Sequence, residues 1–224
     1  MFPARMPDWP MSGWRRAAVL GLLLLAALQL GTAAMIKAKA WLAPLLIARA
    51  WEQSLAAGGA PVKPWPWADT WPVAWLSVPA RAIELPVLAG DSGNVLAFAP
   101  GHASASATLG SAGEAVIGGH RDTHFAFLEG LPANTRLQLQ LPSGELRHYR
   151  LAGQHIIDAS RQDLDASSAA ESLLLVTCYP FNSLQSGGSL RYVVRAVPER
   201  PIPGFADKHD NTATGAGSGP KLLL

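Results

Sequence analysis

The chain has 224 residues, enough for one domain with a sizeable core and additional segments. Its apolar content of 49% is high and its charged content of 15% is low for a soluble protein, which predicts a membrane segment. The net charge of +2 is not the basic excess typical of nucleic-acid-binding proteins, so we expect no nucleic-acid partner. A single cysteine excludes an intramolecular disulfide.

Residues 17–36 are predicted to form a transmembrane anchor. They are almost entirely Ala, Leu, Val and Gly, and about 20 such residues cross a hydrocarbon layer as a helix. Three arginines in residues 1–16 predict a cytoplasmic tail, which places the rest of a single-pass protein outside the cytoplasmic (inner) membrane, in the periplasm or an equivalent space. The alternative is a cleaved signal peptide with its cleavage site near residues 38–40.

Residues 37–72 are predicted to be a helical linker followed by a strap. Apolar residues at helical spacing continue from 37 to 57, and two glycines then end the helix. Proline and tryptophan alternate in residues 61–72, which excludes a regular helix or a central strand. We expect an extended strap whose indoles pack on the following domain.

From residue 73 the sequence has the pattern of a mainly β domain. Short apolar or alternating segments are separated by Gly, Pro and Asn turns at fairly even spacing, which predicts a closed barrel or a sandwich. A short helical turn is expected at 125–128, and residues 201–224 are predicted to be a disordered tail. The predicted strands are residues 75–78, 82–88, 95–98, 115–117, 137–141, 146–157, 173–176 and 192–197.

Cys178 follows an unbroken run of strand-forming residues, 173–176, whose apolar character predicts a strand buried on both faces. Pro180 ends the strand because proline has no N–H to donate. The cysteine is therefore expected at a strand end, rigidly held but close to a loop. An unpaired thiol in an oxidising compartment is a candidate nucleophile. The alternative is a small buried hydrophobic side chain.

Two motif matches around His120 fail on their details. His120 and His124 have the spacing of the zinc motif H-E-x-x-H, but Arg121 replaces the glutamate and would place a cation beside the metal. The letters His-Arg-Asp also begin a kinase catalytic loop, but Phe127 stands where that loop needs asparagine. We therefore predict neither a metal nor a cofactor, and expect Asp122 and His124 to shape the loop around His120.

Three segments resemble the His, Cys and Arg signatures of the sortase family, in the order that family has them: residues 118–125, 175–181 and 190–192. The resemblance covers roughly residues 73–200. The strap and the single-pass layout resemble the sortases of Gram-negative bacteria most. The resemblance implies a closed eight-stranded sortase-type β-barrel with short helices, preceded by an N-terminal transmembrane helix.

The resemblance also implies an activity and its partners. Sortases are cysteine transpeptidases that cut a carboxy-terminal sorting signal of the Leu-Pro-x-Thr-Gly type after threonine and pass the acyl group to an amine. The implied partners are an exported protein that carries such a signal, an amine acceptor and the membrane.

Carried onto this chain, the resemblance implies that Cys178 is the nucleophile and His120 the general acid and base. Arg191 is the group that binds a substrate carbonyl or stabilises the oxyanion. Period-two alternation places Arg195 on the same strand face, so Arg195 is the rival for that role.

Two other functions are compatible with the sequence. One is another extracytoplasmic cysteine peptidase or a cell-wall transpeptidase of the L,D type, although the Ser-His-Gly that usually leads into the cysteine of the L,D type is missing before Cys178. The other is a non-enzymatic exported binding barrel whose tryptophan-rich strap contacts membrane or glycan.

Overall fold

A computed structural model describes residues 13–161, 169–183 and 187–199, apart from the side chains of residues 36, 38 and 39. The predicted tail, 201–224, lies outside the described residues. The first element is helix α1, Gly13–Ala56, which is 44 residues long. A single helix therefore contains both the predicted anchor and the predicted linker helix, without a break between them.

Helix α1 changes its surroundings along its length. Its most apolar 18-residue window has a mean hydropathy of 2.2 and is entirely exposed, so by length and composition this helix can cross a membrane. Nearer its carboxyl end Ala43, Ile47, Ala50 and Trp51 are buried. The Trp51 ring stacks on Trp75 of the barrel with 6.2 Å between centroids. The helix is thus packed directly on the domain that follows it.

Eight strands close into one barrel, in the order β1-β2-β3-β4-β7-β8-β6-β5. The expected mainly β, closed eight-stranded architecture is confirmed, and the sandwich alternative is excluded. The strands are β1 (Pro72–Val78), β2 (Ile83–Ala89), β3 (Gly101–His102), β4 (Glu114–Gly118), β5 (Arg136–Gln140), β6 (Leu146–Asp158), β7 (Ser172–Cys178) and β8 (Leu190–Pro198). A 3-10 turn at Ala126–Leu128 lies where a short helical turn was expected.

The strand predicted at residues 95–98 is wrong. Gly93–Leu96 forms a short helix, α2, closed by backbone hydrogen bonds of 3.0 and 3.1 Å. Val95 is apolar because it packs with Ile47 of α1 in a small cluster outside the barrel, not because it belongs to a sheet. The strand of this region is β3, and two residues are too few for any alternation to show in the sequence.

The strap is irregular, as its prolines predict, and its tryptophans differ in their packing. The Trp65 ring packs edge-on against Phe98 with 5.3 Å between centroids. In contrast, Trp67 is 81% exposed. Only part of the strap therefore contributes indole rings to the packing of the domain.

Strand β7 is buried on both faces, which confirms the interpretation of its unbroken apolar run. Leu173 and Leu175 belong to the main core inside the barrel. Leu174 packs on the other face with Ile157 and Val193. A strand packed on both sides has little freedom to move, so it holds its last residue in a fixed position.

A buried ion pair links three strands at the end of the barrel where β4 and β7 begin. The Glu114 side chain is 2% exposed, and its Oε1 lies 2.6 Å from Arg195 Nη2. The Ser172 hydroxyl donates a second hydrogen bond, of 3.2 Å, to the same oxygen. The carboxylate is therefore compensated although it is removed from water.

We expect the Arg195→Met variant to lower the free energy of unfolding by about 2 kcal/mol, because it leaves the Glu114 carboxylate buried without a cation. This is less than the roughly 3–5 kcal/mol typical of a fully buried pair, since Arg195 is partly exposed. Arg136→Met is the matched control: Arg136 pairs with Glu199 but is 75% exposed, so its loss should cost less than about 1 kcal/mol. Urea titration measures both values, and equal losses would contradict the assignment.

Candidate active site

The pairing of β4 with β7 brings the predicted histidine and cysteine to one rim of the barrel. The two strands are parallel, and Gly118 pairs with Val176. His120 and Cys178 each follow two residues after this pair. The pairing continues beyond the strands, since Gly119 N donates to the Val176 carbonyl over 3.1 Å. Because the two strands run parallel and in register, residues at equal distances beyond their last pair lie side by side.

Strand β8 brings the predicted arginine to the same rim. It runs antiparallel to β7, and Arg191 is directly opposite Cys178. Directly opposed residues have their β-carbons about 4.5–5.5 Å apart. The structure therefore brings together all three residues that the sequence predicted for the site.

A cavity of about 480 Å³ opens beside the cysteine. Its wall comes from the loop after β4 and from the loop that joins β7 to β8. The lining residues are His120, Arg121, Asp122, Cys178, Tyr179, Pro180, Ser183, Gly187 and Gly188. The Cys178 side chain is partly exposed, so the thiol is not the fully buried hydrophobic group of the alternative interpretation.

Arg191 is not among the described residues that line this cavity, but it binds the loop that does. Its Nη1 donates to the Gly188 carbonyl over 2.6 Å and to the Leu190 carbonyl over 2.9 Å. A guanidinium has five N–H donors, and these two bonds use only one nitrogen. The same side chain can therefore support the loop and still offer donors toward a bound carbonyl.

The rival arginine is at a different place in the barrel. Arg195 pairs with Leu174, four residues further along β8 than Arg191, a separation of about 13 Å along the strand. Its guanidinium is bound to Glu114. Alternation does put both arginines on one face, but only Arg191 is beside the thiol.

Arg121 connects the two loops of the rim. The side chain is only 9% exposed, and its Nη1 and Nη2 donate to the carbonyls of Pro180 (2.8 Å) and Ser183 (2.6 Å). It therefore ties the loop that carries His120 to the loop that follows Cys178. The sequence analysis used Arg121 only as an argument against zinc. No sequence signal reveals this connection, because every residue has a backbone carbonyl.

Gly119 and Thr177 determine the path of the chain into His120. The Thr177 hydroxyl donates to the Gly119 carbonyl over 2.7 Å in a buried position. A β-carbon at Gly119 would lie 2.8 Å from the ring of Phe125, which is itself completely buried. A side chain there would push the ring or the loop aside, so the close approach requires glycine.

His124 is the second imidazole of the rim. Its ring lies 6.4 Å from the His120 ring, with 29° between the planes. Burial, and then the nearby His120, lower the pKa of His124. It is therefore uncharged at neutral pH. The described residues contain no cluster of three potential metal ligands.

An aromatic group stands next to the cysteine, and the sequence analysis did not assign it a role. Tyr179 stacks on Tyr192 with 6.2 Å between ring centroids, and Phe181 meets Tyr192 edge-on at 5.1 Å. The Tyr192 hydroxyl donates to the Gln154 side chain over 2.7 Å. These rings brace the start of the loop after Cys178 against β8.

Comparisons with known proteins agree with this geometry. A model of the sortase domain family matches residues 76–199. Sortase D of Bacillus subtilis (strain 168) is 32% identical over 120 residues, which are 53% of this chain and 60% of that protein. The chain thus spans about three fifths of the length of this curated relative.

Solved structures show the same barrel. Sortase A from Corynebacterium diphtheriae superposes with a TM-score of 0.53 and 25% identity, covering 62% of this chain and 65% of that one. A sortase D5 transpeptidase of Clostridium perfringens has a TM-score of 0.50 and 18% identity, covers 66% of this chain and 88% of that one, and supports the fold alone. With a family model that matches more than half of its residues and a closed barrel whose rim carries the histidine, the cysteine and the arginine, the chain belongs to the sortase family.

Proposed function

We propose that this protein is a membrane-anchored cysteine transpeptidase. It cleaves a carboxy-terminal sorting signal of the Leu-Pro-x-Thr-Gly type on exported proteins and transfers the acyl group to an amine. The observation that carries the proposal is the rim itself: His120 and Cys178 each lie two residues beyond the last pair of the parallel strands β4 and β7, and Arg191 is directly opposite the cysteine.

In the first half-reaction the Cys178 thiolate attacks the threonine carbonyl of the signal. A carbon–sulfur bond forms and the carbonyl oxygen becomes negative, and the Arg191 guanidinium stabilises that oxygen. The threonine–glycine bond then breaks, and the leaving amine takes a proton from His120. The product is a thioester between the substrate and Cys178.

In the second half-reaction an amine attacks the thioester. A carbon–nitrogen bond forms, the nitrogen loses a proton to His120, and the carbon–sulfur bond breaks to return the thiolate. His120 therefore acts as acid in the first half and as base in the second. A neutral His124 beside it does not compete for this proton at neutral pH.

The membrane location and the subclass of sortase are also proposals. The continuous apolar helix α1 supports retention in the cytoplasmic membrane, with the barrel on the periplasmic side. The strap and the single-pass layout support a place among the sortases of Gram-negative bacteria. A neighbouring gene for an exported protein with a carboxy-terminal sorting signal would support this subclass and identify the substrate together.

The Cys178→Ala variant should abolish covalent capture of a Leu-Pro-Glu-Thr-Gly peptide, because alanine has no thiol to form the thioester. Removing one sulfur at a strand end should leave the fold intact, and circular dichroism checks that it does. Mass spectrometry of protein mixed with peptide measures the adduct. An acyl adduct that persists in this variant would exclude Cys178 as the nucleophile.

The two arginines should differ in their effect on turnover. Arg191→Lys keeps the charge but loses the planar fork, so we expect a loss of roughly 10²-fold, comparable to the loss of one oxyanion donor. Arg195→Lys is the matched control on the same strand face and should change turnover only slightly. Steady-state cleavage of the peptide measures both, and the reverse order of severity would assign the role to Arg195.

A chain that lacks residues 1–36 should cleave a soluble peptide almost as fast as the full chain, because the part of α1 that packs on the barrel begins at Ala43 and is retained. In cells the same deletion should reduce processing of a membrane-held substrate, since tethering raises the effective concentration of both partners. Amino-terminal sequencing and protease protection of spheroplasts test the anchor. A mature soluble chain beginning near Trp41 would show that residues 17–36 are a signal peptide.

A further inference from the structure

Asp122 provides the single carboxylate among the described residues that line the active-site cavity. Its side chain is 67% exposed, so the carboxylate is accessible to molecules that enter. One of its oxygens, Oδ1, accepts a hydrogen bond from Arg121 Nε over 3.1 Å. The other ionisable groups among these lining residues are a histidine, an arginine, the thiol and the phenol of Tyr179.

The proposed reaction needs a positive group for the oxyanion and a negative group for the acceptor amine. Among the described lining residues, Asp122 is the one candidate for the negative group. Arg191 stabilises the negative charge that develops on the carbonyl oxygen. The acceptor amine is the opposite case, because it approaches the site as a cation in neutral water. Arg121 cannot attract such a group, because it is itself a cation and its guanidinium is bound to the Pro180 and Ser183 carbonyls.

We propose that Asp122 is the acceptor-amine site, an inference that rests on the proposed transpeptidase function. The Asp122 carboxylate binds the acceptor as an ammonium ion, which gives one proton to water and becomes a neutral amine. The neutral nitrogen then forms a bond to the acyl carbon of the Cys178 thioester. The nitrogen then gives its proton to His120, two residues away in the same loop, while the carbon–sulfur bond breaks and the thiolate leaves. The acceptor class is therefore a primary alkylamine, such as an amino terminus or a lysine side chain.

A positioning role through Arg121 is the competing explanation, because the two side chains form an ion pair. It makes a different prediction. If Asp122 only holds Arg121 and thereby the loops, its loss should slow every reaction of Cys178 equally. If Asp122 binds the amine, its loss should discriminate between nucleophiles by their charge.

The first experiment compares two nucleophiles on the full chain in detergent micelles, with a Leu-Pro-Glu-Thr-Gly peptide as acyl donor. Glycylglycinamide carries an ammonium, whereas hydroxylamine is uncharged at neutral pH. Asp122→Asn should lower the ratio of the glycylglycinamide product to the hydroxylamine product about three- to fivefold, the effect of one partly exposed ion pair. The control Asp91→Asn removes an exposed acid outside the cavity and should leave the ratio unchanged. An equal loss with both nucleophiles, or no loss with either, would overturn the inference.

The second experiment needs no peptide and so separates the two proposals. Cys178 is modified with a cationic and with an anionic methanethiosulfonate, each of which forms a mixed disulfide as the thiolate displaces sulfinate. Asp122→Asn should lower the ratio of the cationic to the anionic rate about three- to fivefold, and an unchanged ratio would overturn the inference. A lowered ratio in a protein that does not cleave the peptide would refute the proposed function and still support Asp122 as a cation-binding carboxylate.

Discussion

The parallel hydrogen bonding of β4 and β7 is the constraint on which the site depends. The two strands are far apart in the sequence, yet a reactive side chain follows two positions after each member of their last pair, Gly118 with Val176. His120 and Cys178 are therefore aligned by backbone geometry, before any contact between their own side chains. Burial of β7 on both faces keeps this alignment rigid.

The charges of the barrel are separated in a way that suits a reaction with a negative intermediate. Glu114 neutralises Arg195 at the end of the barrel where β4 begins. At the active rim, backbone carbonyls hold Arg191 and, together with the Asp122 carboxylate, Arg121. A carbonyl oxygen carries only a partial charge, so it orients a guanidinium without cancelling its charge. The charge of Arg191 thus remains available where an oxyanion would form.

Helix α1 joins its exposed apolar part to the barrel through packing. Trp51 stacks on Trp75, and Ile47 packs with Val95 of α2, so the segment between the apolar part of the helix and the barrel is itself docked. In the proposed membrane-anchored state, this docked connection would limit the orientations that the rim can take above a bilayer. For a substrate held in the same membrane, this restriction adds orientation to the gain in effective concentration.

The sequence by itself determined the long apolar helix, the positions of all strands except β3, and the place of Cys178 at a strand end, because hydrophobic length, alternation and the missing N–H of Pro180 are local properties. The tertiary structure alone decided the rest. Alternation puts Arg191 and Arg195 on one face and cannot separate them; the register of β8 and the buried Glu114 do. Helix α2 and the connection of the two rim loops by Arg121 could not be predicted from the sequence either. Both depend on contacts between distant segments rather than on residue type.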